Sequence, residues 1–374
     1  MALVLNEEQG MLRDSVNAFL SERAPVAHLR KLRDSRDALG FDRGLWRQFA
    51  EQGYSAILVP EAHGGLGLGA VEAGIIGEAL GRTLTPTPFL STAVLAARTL
   101  ARAGSPAQQA ALLPKIAAAE TVIALALDET SKHRPDAIAA RAAREGSGWR
   151  LSGAKTFVLD GHAADQFIVV ARSADRGLTL LLVDARAAGV GIERTLMVDA
   201  HNAARLRFDG VKLGADAVIG EADAAGAVLD ETLDLGRVVV AAQLLGIADA
   251  VFERTLAYLK ERRQFDRAIG EFQALQHRAA ELYIDIELTR ALLLGALQAM
   301  DAEPAKAALI VAQAKAHACT SAKRAVQEGV QMHGGIGMTD EFDIGLYMKR
   351  ARTLQELFGD AGFHADRVAA MGGY

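Results

Sequence analysis

A single cysteine, Cys319, is all the thiol that 374 residues provide, so no intrachain disulfide can staple this fold. It stands in an alanine-rich helical run, where a buried structural thiol is expected. No uninterrupted apolar run reaches the ~18 residues of a membrane span, and none is expected. Clustered positive charge is missing too. The 41 Lys and Arg are dispersed, 46 Asp and Glu outnumber them, and the net charge is −5, which disfavours a nucleic-acid partner. The start, MALVLNEEQGMLRDSV, carries acids early and has neither a basic leader nor an apolar core. No export or transit signal is read there, and the expected location is cytoplasmic. Neither an internal repeat nor a low-complexity linker is found. What remains is 51% hydrophobic and 23% charged, an ordinary globular composition with length for two or three domains.

The texture changes twice along the chain. From Asn6 to about residue 120 it is helical: Met11, Leu12, Val16, Phe19 and Leu20 recur at helical spacing, and Asn6 is placed to cap the first turn. Further helices are expected near 42–51, 70–80, 90–103 and 106–118. From 121 to 220 short apolar runs alternate with turn signals, as in TVIALAL, AIAARAA, WRLSG, DQFIVVAR, LTLLLVD and ARLRFDGV. These predict the strands of a small sheet. From 221 to 374 long helical stretches return, near 222–260, 270–300, 303–332 and 341–370, the signature of a four-helix bundle. The expected class is α+β, mostly α: an N-terminal helical domain, a middle β-domain and a C-terminal long-helix bundle.

PEAHGGLGLGA, at 60–70, offers a G-x-G pattern after an apolar run. A dinucleotide fold would need a second parallel strand and an acid about 20 residues on. A helix follows instead, so a loop at a helix start is the reading. His333 and His364 lack metal-ligand spacing to Asp, Glu or Cys, and no metal site is expected. Trp46 and Trp149 are expected as core anchors, and His277 as interfacial or structural.

Two segments of the last third carry chemistry. KERRQFDRAIGEFQALQH places Arg262, Gln264, Phe265 and Gln273 around a helix junction. Arginine there either interacts with its own helix dipole or binds a phosphate as a bidentate donor. QMHGGIGMTDE, about 60 residues later, interrupts a helical run with Gly334, Gly335 and Gly337. Those glycines make either a plain turn or backbone amides open to an anion.

Together these segments resemble the acyl-CoA dehydrogenases, FAD enzymes that oxidise an acyl thioester between its α and β carbons. The resemblance extends to PEAHGGLGLG, LSGAKTFV and LDLGRVVVAAQLLGIADA, nearly the whole chain. It implies that Arg262, Gln264, Phe265, Gln273, Gln331, Gly334 and Gly335 hold the ADP half of FAD, whose flavin ring lies mainly on a neighbouring chain. An oligomer follows from that, with electron-transfer flavoprotein as electron acceptor. By the same carry-over Asp234 and Arg237 stand near the acyl-CoA thioester, as substrate contacts or as residual structural features.

The departures concern the base. The family's Tyr-Glu-Gly-Thr run is matched by Leu357, Phe358, Gly359 and Asp360, and the alternative glutamate position by Gly236. Neither Phe358 nor Gly236 accepts a proton, so the catalytic residue is unknown. Asp360 is either a displaced base or a structural aspartate. The loop ALALDETSKHRPDA lacks the family's glycine and is expected to be shortened or remodelled. Phe157, Val158, Leu159 and Asp160 replace a Trp-Ile-Thr-Asn-like run, Leu159 lacking the hydroxyl that would reach the flavin ring. This pattern implies a chain that supplies ADP-binding elements to a related, base-carrying chain in a heterotetramer acting on bulky or dicarboxylic acyl-CoA. The alternatives are a self-sufficient homotetramer using Asp360 or water, a non-catalytic assembly protein, or a flavin monooxygenase of the same fold.

Overall fold

Helices come first, then a sheet, then long helices. The structure is a computed structural model and describes residues 3–173 and 177–374. The early helices are α1 (Glu7–Arg23), α2 (Val26–Asp34), α3 (Arg43–Glu51), α4 (Ala70–Thr83), α5 (Ala97–Ala103) and α6 (Pro106–Ala117). Asn6 caps α1 as expected: its side chain accepts from Gln9 N at 2.8 Å while the Gln9 side chain accepts from Asn6 N. The stretch read as one helix from 90 to 103 begins instead as a π-helical segment, Phe89–Ala96, and becomes α-helical only in α5.

The middle of the chain forms β1 (Ile123–Ala126), β2 (Arg141–Glu145), β3 (Gly148–Leu159), β4 (Gln166–Arg172), β5 (Leu178–Asp184), β6 (Val190–Leu196), β7 (Asn202–Leu213) and β8 (Val218–Ile219). Spatial order is β6-β7-β3-β2-β4-β5-β8, with β1 parallel to β4. Phe167–Ala171 of β4 are all buried, because a central strand with both faces covered reads as a continuous apolar run. β6 has no counterpart among the strands expected from the apolar runs. It is an edge strand, mostly exposed, so it has no apolar alternation to read.

The long helices are α7 (Gly226–Glu261), α8 (Gln273–Ala302), α9 (Ala308–His333), α10 (Ile344–Glu356) and α11 (Ala361–Met371). A hairpin, β9 (Arg263–Gln264) with β10 (Arg267–Ala268), separates α7 from α8. Five helices therefore stand where four stretches were read. The span 341–370 is broken between Glu356 and Ala361, where Phe358 (φ +57°) and Gly359 (φ +107°) leave helical geometry and Asp360 starts a new helix. α7 is long and apolar enough by composition to cross a membrane, but 94% of its apolar window is buried inside the protein.

Two compact units divide the chain. One contains the segments up to Lys31, Ala70–Thr85 and Arg237–Tyr374; the other contains Leu32–Gly69 and Pro86–Gly236. In the first, α4 and α7 approach closely enough that a Cβ on Gly81 would lie 2.1 Å from Gln243 O, and one on Gly246 would lie 2.0 Å from Glu78 O. Arg290 of α8 ties them together, bonding Glu78 at 3.0 Å and Asp249 at 2.8 Å. In the second, the sheet core gathers Trp149, Leu151, Phe167, Leu181, Phe208 and Val211. Trp46 and Cys319 are 1% and 2% exposed, so the expected core tryptophans and buried thiol hold. The glycine-rich stretch before α4 is a loop, as read: a Cβ on Gly65 would meet Val59 O at 1.9 Å. That glycine serves packing of the loop on its own turn.

Candidate functional site

The first site grows from the two ends of long helices within one unit. α7 stops at Glu261 and the chain doubles back through the β9–β10 hairpin. Its two turn residues, Phe265 and Asp266, both have positive φ, +53° and +62°. That geometry is the tight turn that Asn-Gly normally fills, and an aromatic residue held there is strained by roughly 1–2 kcal/mol. Phe265 is nevertheless 85% exposed. Its only ring neighbour among the described residues is Phe272, edge-on at 6.2 Å. A strained aromatic presented to solvent marks a contact surface, not a core anchor.

Facing this hairpin is the end of α9. Gly334 terminates that helix with φ +65° and ψ −141°, a combination open essentially to glycine alone. A Cβ added at Gly334 or Gly335 would meet nothing within 4 Å. Bare backbone thus borders open space, and that space is a cavity of about 570 Å³ lined by Arg262, Gln264, Gln331, Gly334 and Gly335, with Tyr258, His333 and Ile336 among the other walls. Five of the seven residues assigned to the ADP half of FAD therefore share one cavity. Phe265 and Gln273 are exposed and do not line it.

Among the walls that were missed as site residues, two carry rings. Tyr258 precedes Arg262 by one helical turn, so the i, i+4 spacing could have found it. His333 was considered only as a metal ligand. It is 3% exposed, stacks on Tyr258 at 4.5 Å and 25°, and lies 4.8 Å from the Phe342 ring. Its Nδ1 faces Gly329 O at 2.7 Å, and burial pushes its pKa below the usual histidine value, so the ring is neutral with Nδ1–H donating.

The position of the missing base forms a second locus in the same unit. Phe358 is 6% exposed. Its carbonyl accepts from Arg237 Nε at 3.3 Å and from His364 Nε2 at 3.1 Å. Lys315 Nζ, wholly buried, donates to Gly359 O at 3.0 Å, Leu354 O at 3.2 Å and Gln355 O at 3.3 Å, and lies 3.1 Å from Cys319 Sγ. Leu354 and Gln355 belong to the last turn of α10, whose carbonyls have no partner within their own helix. A lysine ammonium reaching across from α9 supplies one. Burial pulls the Lys315 pKa down and pushes the Cys319 thiol up. The Asp360 side chain accepts from Phe363 N at 2.9 Å as the N-cap of α11. It is thereby engaged as a helix cap. Arg237 is 2% exposed and its guanidinium lies 5.8 Å over the Phe363 ring. Asp234 is 4% exposed and belongs to the other unit. The carry-over to a thioester thus falls on two side chains buried within this chain.

The β-domain holds another cavity, about 660 Å³, bordered by Glu129, Phe157, Ile192 and Arg207 among others. Lys155 donates to Glu129 Oε1 at 2.6 Å and to Leu127 O at 2.9 Å, and Glu129 also accepts from the backbones of Ala139 and Ala140. Asp128 holds His133 at 3.1 Å. The loop that lacks the family's glycine is therefore drawn onto the sheet by a buried ion pair. Phe157 and Asp160 both have positive φ, and Asp160 accepts from Ser91 Oγ at 2.6 Å.

Helices, a mixed sheet and long helices in this order define an acyl-CoA dehydrogenase fold. The acyl-CoA dehydrogenase N-terminal, middle and C-terminal domain models match residues 6–120, 128–211 and 226–372. The chain belongs to the acyl-CoA dehydrogenase family, whose members are oxidoreductases acting on acyl-CoA. It is 32% identical to acyl-CoA dehydrogenase FadE27 of Mycobacterium tuberculosis, over 88% of this chain and 87% of that one. Acyl-CoA dehydrogenase IpdE2 of the same organism is 33% identical over 94% and 93%. Among solved structures, the ChsE4–ChsE5 complex from Mycobacterium tuberculosis matches with a TM-score of 0.92 at 30% identity, covering 100% of this chain and 99% of its counterpart. A Tcur3481–Tcur3483 steroid acyl-CoA dehydrogenase matches with a TM-score of 0.90 at 32% identity, covering 98% of each.

Proposed function

We propose that this chain is the ADP-binding subunit of a FAD-dependent acyl-CoA dehydrogenase made of two related chains, working in the cytoplasm on a bulky acyl-CoA such as a sterol side chain. One observation carries the reading: the dinucleotide-side residues surround one open cavity, while the base position is an apolar side chain in a turn fixed by Lys315, His364 and Arg237. The similarity to a complex of two unlike chains and to a steroid enzyme supports both the assembly and the substrate class. The cavity suits the cofactor. Arg262 offers a charged fork for a diphosphate, Gln264 and Gln331 offer amides, and no side chain stands between ligand and backbone at Gly334 and Gly335. A bound flavin would accept two electrons from the acyl group and pass them to electron-transfer flavoprotein. This chain's part is to bind and orient the ADP end, and Phe265 would extend the contact onto the neighbouring subunit. The proton at the α-carbon would go to a carboxylate of the partner chain.

Absorbance tests the reading directly. The chain purified alone should carry no flavin bands, and co-expression with a related chain that has the glutamate should produce them together with acyl-CoA oxidation. Full flavin and turnover in the chain alone would sink the proposal. That outcome belongs to the self-sufficient homotetramer, in which Asp360 takes the proton. Because Asp360 is a helix cap, Asp360→Ala is expected to cost about 1 kcal/mol of stability and to leave turnover of the assembled enzyme unchanged within twofold. Loss of turnover at unchanged flavin content would return Asp360 to the chemistry.

A further inference from the structure

The chain leaving the 570 Å³ cavity is held from a distant part of the sequence. Gly334, Gly335 and Gly337 give the backbone there more conformational freedom than other residues would. Thr339 closes that turn on a cavity wall: its N and its Oγ1 both donate to Ile336 O, at 3.1 Å and 2.8 Å. Immediately after it come Asp340 and Asp343, with Phe342 between them. Phe342 backs two more walls, its ring lying 4.8 Å from His333 and 6.2 Å from Tyr258. A single cation takes both carboxylates. Arg30 of α2, in the same compact unit, donates from Nε and Nη2 to Asp343 Oδ1 at 3.0 Å and 2.9 Å. Its Nη1 donates to Asp340 Oδ2 at 3.3 Å. The Arg30 side chain is 21% exposed and that of Asp343 32%, so this pair is screened less than one on the open surface. Three bonds from one planar fork fix direction as well as distance. Arg30 itself is not a wall of the cavity.

We propose that Arg30 is a positioning residue for this cavity, clamping Asp340 and Asp343 so that segment 336–343 is already in the conformation that receives the nucleotide. The inference rests on the reading of the cavity as an ADP site, and adds to it a residue that touches no ligand. Its effect is preorganisation. Without the clamp, the segment behind Ile336, His333 and Tyr258 is ordered only when ADP arrives, and the cost of that ordering is subtracted from binding.

The test uses the full chain, with ADP as the probe in titration calorimetry and hydrogen exchange of the unliganded protein read by mass spectrometry. Arg30→Met keeps the length of the side chain and removes its charge and its donors. It is expected to weaken ADP about fivefold and to speed exchange over 336–343, with exchange at the centre of α8 unchanged. Arg30→Lys keeps a cation within reach of the aspartates but loses the fork, so ADP should weaken only about twofold. A loss of packing alone would not follow charge in this way. Equal ADP binding by the Met and Lys variants, or faster exchange throughout the chain, would overturn the positioning role. Arg262→Ala separates the two levels. If Arg262→Ala weakens ADP while Arg30→Met leaves it untouched, the cavity is a nucleotide site and Arg30 is a structural tie only. If the chain takes up no ADP, or Arg262→Ala leaves ADP binding untouched, the ADP reading falls and the inference with it.

Discussion

Lys315→Met is expected to lower the unfolding free energy by about 3 kcal/mol, well beyond the roughly 1 kcal/mol of a typical substitution. The ammonium has no carboxylate in direct contact; its acceptors are the carbonyls of Leu354, Gln355 and Gly359. Methionine fills a similar volume but donates nothing, leaving the buried carbonyls of Leu354 and Gly359 short of a donor at about 1–3 kcal/mol each, while Gln355 O keeps the Cys319 thiol at 3.7 Å. Relief of burying a cation offsets part of that sum, which is why the net expectation lies near the lower end. Urea unfolding of the two proteins measures it through the shift in midpoint at unchanged slope. A loss below about 1 kcal/mol would mean that the carbonyls find other partners and that Lys315 does not hold the turn. A local consequence follows in the same variant. Residues 357–360 lose their tether from α9, and hydrogen exchange at Gly359 and Asp360 should accelerate more than at the centre of α10.

This turn also shows where the sequence stopped being legible. The order of helical and strand regimes and the cap at Asn6 were readable because each depends on local pattern, whereas Arg262, Gln264, Gln331, Gly334 and Gly335 were grouped only by the family resemblance of their two motifs, the residues alone allowing a plain turn. Lys315 was not. It sits four residues before Cys319 in an alanine-rich helix, where a lysine reads as a solvated side chain, and only the end of α10 makes its position interior. The break at Leu357–Asp360 was hidden as well. The surrounding residues keep helical spacing across it, and the left-handed conformation of Phe358 is one that no propensity assigns to phenylalanine. β6 escaped because an exposed edge strand has no buried face. His333 was visible as a residue and not as a cavity wall, since its stack on Tyr258 exists only once the helix end is in place.

The second large effect is acid sensitivity from His364. The residue is 0% exposed, donates from Nε2 to Phe358 O and has no partner at Nδ1. Burial first, then the positive charges of Lys315 from α9 and Arg237 from α7, push its pKa down to about 2. The unfolded chain titrates this group near ~6.5. Between those values the unfolded state binds a proton that the folded state refuses, so stability falls as pH drops from about 6.5. Two pH units below that point the penalty is about 2.7 kcal/mol, at 1.36 kcal/mol per unit. His364→Gln keeps a side-chain donor for the Phe358 carbonyl and cannot be protonated. Its stability relative to the unmodified chain should therefore improve by about 2–3 kcal/mol between pH 7 and pH 4.5, read by denaturant titration at both values. Other groups contribute equally to both proteins and cancel in that difference. Parallel acid limbs would mean that His364 accepts its proton without unfolding, and that the cluster of Lys315, Arg237 and His364 around the vacant base position is open enough to take another charge.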